Sequence, residues 1–80
     1  MDYLVGSEFM YQYFLKVHFS VFKTAYVEYI DWDNGQILYT KDFHLAGDFE
    51  TYERACEVAH FLETEPSVKP RVKRVEIIEY

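Results

Sequence analysis

Three glycines, two prolines and one cysteine are all that this 80-residue chain has of the residues that most often punctuate, break or staple a fold. The single thiol, Cys56, excludes an internal disulfide and points to a reducing, cytoplasmic setting. Gly6, Gly35 and Gly47 lie too far apart to form a glycine-rich phosphate loop, and there is no Gly-x-Ser-x-Gly nucleophile turn. No uninterrupted apolar run approaches the roughly 20 residues of a membrane-spanning helix, and no secretory leader is visible. Internal repeats, low-complexity stretches and domain linkers are also missing.

What the chain does have is aromatic mass. Aromatic residues make up 20% of it, with eight tyrosines and seven phenylalanines, and half of all residues are apolar. Disorder is thereby excluded. A core this small does not need so many rings, so some are expected at the surface, where they suit a partner. The net charge of −6 argues against non-specific binding to nucleic acid. Its distribution is lopsided. Glu50, Glu53, Glu57, Glu63 and Glu65 fall together, and Lys69, Arg71, Lys73 and Arg74 form a separate basic group.

The opening residues end in Gly6-Ser7-Glu8-Phe9, which two adjacent cloning sites would encode, directly before a second methionine, Met10. Residues 1–9 are therefore read as an expression remnant and 10–80 as a single domain.

From Tyr11 the chain alternates. Tyr11, Tyr13, Leu15, Val17, Phe19 and Val21 share one face, which predicts a half-buried strand. Lys23-Thr24 is expected to turn the chain into a second strand, from about Ala25 to Asp33. Asn34-Gly35 between apolar runs then signals a two-residue hairpin loop, with a third strand from Gln36 to about Phe43. That register pairs Trp32 with Ile37, Ile30 with Tyr39, Glu28 with Lys41 as an ion pair, and Tyr26 with Phe43, all facing the core. A longer loop or a bulge would flip it.

A helix follows. Asp48 or Thr51 can cap it, Glu50 and Glu53 suit its positive end, and Pro66 stops it. Tyr52, Ala55, Cys56, Val58, Ala59 and Leu62 form its apolar stripe. Residues 67–70 read as a loop. Arg71 to Tyr80 alternates again, with Val75 and Ile77 inward. The expected fold is α+β: a three-stranded antiparallel meander, one helix packed across the sheet, then a fourth C-terminal strand, β-β-β-α-β. The helix would act as a crossover that allows the last strand to run parallel to the first or the third.

Chemistry is sparse. His18, His44 and His60 lack metal-ligand spacing and have no cysteine pair beside them. Cys56 with His60 four residues on has the spacing of a nucleophile and its base, but the thiol lies in the apolar stripe and reads as structural. Asp33 is explained by turn preference, and Asp31 and Asp42 by a solvated hairpin face. No catalytic residue, metal or cofactor is expected.

Three segments resemble small uncharacterised proteins of bacterial phages and mobile elements: Tyr13–Leu15, the helix opening Phe49-Glu50-Thr51-Tyr52-Glu53-Arg54-Ala55, and Val75-Glu76-Ile77-Ile78-Glu79. The resemblance implies an accessory or host-directed role and assigns no residue. The expectation is thus a non-enzymatic protein-interaction module, a regulator or inhibitor of a host protein. It would work through surplus aromatics (Phe14, Phe22, Tyr29) and the acidic helix face (Glu53, Glu57), with self-association through a sheet edge. The competing expectation is a small nucleic-acid-binding domain that uses Lys69, Arg71, Lys73 and Arg74.

Overall fold

The computed structural model describes residues 12–65 and 71–80. Residues 1–9, expected to be an expression remnant, the first residue of the expected β1, Pro66, and residues 67–70, expected to form a loop and including Lys69, lie outside the described residues. The chain runs β1 (Tyr13–His18), β2 (Thr24–Asp31), β3 (Gln36–Thr40), a single 3₁₀ turn (Phe43–Leu45), α1 (Tyr52–Thr64) and β4 (Arg74–Glu79). The four strands form one sheet in the order β3-β2-β1-β4. This is the expected α+β, β-β-β-α-β arrangement.

One relation differs from expectation. β4 pairs with β1 and is antiparallel to it, from Tyr13 opposite Glu79 to His18 opposite Arg74. The helix therefore returns the chain beside β1 in the reverse direction, and no parallel crossover forms. The helix end helps to place this strand, because the Val75 backbone N–H donates to Glu63 Oε2 at 2.8 Å.

The core lies between α1 and one sheet face. Leu15 and Val17 from β1 and Val27 and Ile30 from β2 meet Ala55, Val58, Ala59 and Leu62 from α1, with Val72 at the side. Val75 and Ile77 pack against this core from β4, as their alternation predicts. Ala55 and Ala59 have no bulk beyond Cβ, so the helix can approach the sheet closely. Thr51 caps the helix: its side-chain oxygen accepts from the Arg54 N–H at 3.1 Å. Thr51→Ala is expected to lose about 1 kcal/mol of stability in a urea melt, and Thr51→Ser to restore it. A silent Thr51→Ala would show that solvent caps this end equally well.

The β2–β3 hairpin departs from the expected register. Asp31 stands opposite Gln36, Ile30 opposite Ile37 and Tyr29 opposite Leu38, so the loop is the four residues 32–35. A two-residue type I′ loop needs positive φ at both central residues. Here Gly35 has φ 68° and Asn34 does not share it. Asn34 is held instead by Asp31, whose carboxylate accepts from the Asn34 backbone N–H at 3.3 Å and from its Nδ2 at 2.6 Å. The side-chain bond to Asn34 also holds the Asp31 carboxyl below its ordinary pKa.

A bulge between Val27 and Tyr29 then reverses the faces of the rest of the strand. Ile30, Ile37 and Tyr39 keep their expected inward positions, but Val27 turns in and Tyr26 turns out. Glu28 falls at the bulge without a partner in the β2–β3 ladder, so the expected Glu28–Lys41 pair does not form. Trp32 leaves the strand for the loop, where its ring meets Phe61 edge-on at 5.1 Å and Arg54 at 5.6 Å.

Phe43 was expected in β3 and on the core face. It sits instead in the 3₁₀ turn and covers the face of the sheet opposite α1. Its ring centroid lies 4.8 Å from Phe14, 5.3 Å from Tyr26 and 5.5 Å from Tyr80. The reason is chain direction. Beyond Thr40 the Asp42 side chain accepts from the His44 N–H at 2.9 Å, which ends the extended run and starts the turn.

β1 and β2 pair only through Lys16, Val17 and His18. Beyond Lys16 they part, and residues 47–49 supply partners to both. The Gly47 N–H donates to the Val27 carbonyl and the Phe49 N–H to the Tyr13 carbonyl, each at 2.9 Å. Asp48 Oδ1 accepts from the Tyr13 N–H at 3.3 Å and from the Glu50 N–H at 2.8 Å. Glu50, at φ 59°, then turns the chain into the helix.

Candidate interaction surface

The link between β1 and β2 is the unusual local feature. The Lys23 N–H reaches back to the Ser20 carbonyl at 3.3 Å, and the Phe19 N–H reaches forward to the Lys23 carbonyl at 2.8 Å. Val21 and Phe22 are the central residues of this turn. They are 89% and 97% exposed. Val21 was expected on the buried face of a longer first strand, but the strand ends at His18 and Val21 goes to solvent. Turn centres normally carry Gly, Asn, Asp or Pro, which suit the backbone and water. Two apolar side chains there gain nothing from the fold.

The other expected surface residues divide. Phe22 is exposed, and so is Tyr29, which shares the face opposite α1 with exposed Leu38. Phe14 was expected to be available at the surface and is not. It is 6% exposed and closed over by Phe43, because the 3₁₀ turn folds back on that face. Glu53 and Glu57 are exposed on α1, and Glu57 accepts from Arg54 Nη1 at 3.1 Å. The aromatic surplus is thus partly absorbed by a second apolar cluster around Phe43. No periodicity in the sequence signals that cluster, since Phe43 joins it from a turn.

The two sheet edges differ. β4 carries Arg74, Glu76 and Glu79, and charge of this kind discourages another strand from pairing. β3 reads Gln-Ile-Leu-Tyr-Thr and has no charge at all. Of the two edges, β3 is thus the one without charged side chains to discourage strand addition.

Of the basic run, Lys69 lies outside the described residues. Arg71, Lys73 and Arg74 are exposed, but Arg74 Nη2 lies 3.2 Å from His18 Nε2 and 4.0 Å from Glu76 Oε1. Glu76 Oε1 is also 3.2 Å from His18 Nε2. Arg74 is thus engaged within the outer face of the β1–β4 ladder.

Cys56 and His60 lie four residues apart on α1. Cys56 is half-buried, not fully enclosed as expected for a structural thiol. A side-chain hydrogen bond with Cys56 is the main cause that pushes the Tyr52 phenol above its ordinary pKa. Tyr52 lies one turn before Cys56, and its ring also meets Tyr13 edge-on at 5.9 Å. His44 and His60 are exposed, and among the described residues no group of three His, Cys, Asp or Glu side chains is placed to hold a metal ion. No described helix is long and apolar enough to cross a membrane. No protein-family model matches this chain, and comparison with curated proteins and with solved structures gives no significant match to either.

Proposed function

We propose that this protein is a non-enzymatic protein-interaction module, a regulator or inhibitor that engages its target through the β1–β2 turn. The observation that carries this reading is the near-complete exposure of Val21 and Phe22 at the centre of that turn. Large apolar groups held out on a hydrogen-bonded turn cost the fold solubility, and a partner pocket gives them a use. A sequence that breaks its own local rule at one place marks that place as functional. The uncharged β3 edge offers a second contact, either to the target or to another copy of the chain.

The test compares the wild-type chain with a Val21→Ser/Phe22→Ser variant as immobilised bait in lysate of the source cell, with and without nuclease. Both side chains already face water, so stability should change by no more than about 0.5 kcal/mol. A buried aromatic anchor contributes about 2 kcal/mol or more, so retention of a stoichiometric protein should fall roughly 30-fold in the variant. Equal retention by both baits would remove the turn from the reading. Retention that disappears on nuclease treatment would move the function to nucleic acid and to Arg71 and Lys73.

A further inference from the structure

The helix leaves part of the sheet uncovered. Beside it lies an open groove of about 630 Å³ over the β2–β3 side of the sheet. Phe19, Ile37 and Tyr39 supply its apolar surface, with the Phe19 and Tyr39 rings edge-to-face at 5.0 Å. Its polar lining includes Lys23, Lys41 and Arg71. Among the described residues, no aspartate or glutamate lines it. That is a sharp local departure for a chain of net charge −6. The Lys23 ammonium lies 5.9 Å from the Phe19 ring centroid. These cations come from three separate segments of the chain, so the fold and not a basic run in the sequence brings them together.

We infer that this groove is a binding site for a small organic anion: an aromatic or aliphatic body that covers Phe19, Ile37 and Tyr39 and carries a carboxylate or phosphate met by Lys23, Lys41 and Arg71. The volume is in the range of small-molecule sites, roughly 300–1,000 Å³. An apolar floor with a few convergent polar groups of one sign selects for charge as well as shape. This site is independent of the β1–β2 turn as an anchor, since Val21 and Phe22 do not line it.

The probes are 1-naphthoate, 1-naphthyl phosphate and the neutral 1-naphthalenemethanol, each titrated into the ¹⁵N-labelled full chain and followed by amide chemical shifts. At least one of the two anions should give saturable shifts confined to the groove, with Kd on the order of 1 mM or below for a ligand of this size. The neutral alcohol should bind more weakly. Lys41→Gln/Arg71→Gln removes two exposed cations and should weaken anion binding roughly five- to tenfold, with the amide spectrum otherwise unchanged. Preference between the two anions identifies the natural headgroup as carboxylate or phosphate. Equal affinity for the neutral alcohol, undiminished binding by the double variant, shifts spread over the whole surface, or no saturation with either anion would each overturn the assignment. A Val21→Ser/Phe22→Ser chain that loses its protein target but still binds the anion separates the two readings.

Discussion

Leu62→Ala is expected to lower the unfolding free energy by about 3 kcal/mol. Leu62 is fully buried and is the largest of the four α1 residues enclosed by the core. It packs in the cluster with Leu15, Val17, Val27 and Ile30, so truncation removes apolar contact on the sheet side and leaves a void. The cost depends on whether the helix can settle into that void. Here it cannot settle far, because Ala55 and Ala59 already bring the backbone close to the sheet and both are buried there. The lower end of the usual range for such truncations, near 2 kcal/mol, is therefore not expected. A small domain of this kind has about 5 kcal/mol to lose, and each kcal/mol moves Tm by about 4–8 °C. Urea denaturation should show a lower midpoint with an unchanged m-value. A loss below about 1 kcal/mol would mean that the core repacks freely and that α1 is not its keystone.

Gly47→Ala should cost a similar amount, about 3 kcal/mol, for a different reason. A Cβ on Gly47 would stand 2.5 Å from the Glu28 backbone carbonyl oxygen and 3.3 Å from its carbon. Neither atom belongs to a side chain that can swing away, so the 47–49 segment must move off the sheet. That movement breaks the bond from Gly47 to Val27 and strains the bond from Phe49 to Tyr13, the two backbone links that span the gap between β1 and β2. Hydrogen exchange reads this directly: the Gly47 and Phe49 amides should lose protection, while the Lys16–Tyr26 end of the ladder keeps it. Gly35→Ala is the control. Gly35 has φ 68° and nothing within 4 Å of an added Cβ, so its cost is conformational alone, about 1 kcal/mol. Equal costs at the two glycines would refute the steric account of Gly47.

These two substitutions also mark what could and could not be read in advance. Leu62 was legible. It lies on a 3.6-residue stripe that begins after a capping threonine, and such a stripe has one stable use, against a sheet. Gly47 was not legible. Nothing in Ala46-Gly47-Asp48 announces that a loop must lie against β2, because the requirement comes from a carbonyl 19 residues earlier in the chain. The same division runs through the surface. Phe22 and Tyr29 were expected to be exposed and are. Phe14 was expected to be exposed too, and was claimed by Phe43, a contact made possible only when Asp42 starts a 3₁₀ turn. The groove cations follow this pattern: Arg71 stood out as part of a basic run, but its companions Lys23 and Lys41 did not.

By itself, the amino-acid sequence determined which segments become strands and helix, and the β-β-β-α-β order. Those properties are local. Side-chain periodicity, capping oxygens and turn residues act within a few positions of one another, and their signal survives without knowledge of the rest of the chain. Only the tertiary structure decided the strand order, the antiparallel placement of β4, the bulge that turns Val27 inward, and the closing of the β1–β2 gap by residues 47–49. Each of these depends on which distant backbone group a segment meets. A bulge shifts every later residue to the opposite face, so a single unpaired position at Glu28 was enough to turn Val27 inward and Tyr26 outward, against the expected facing.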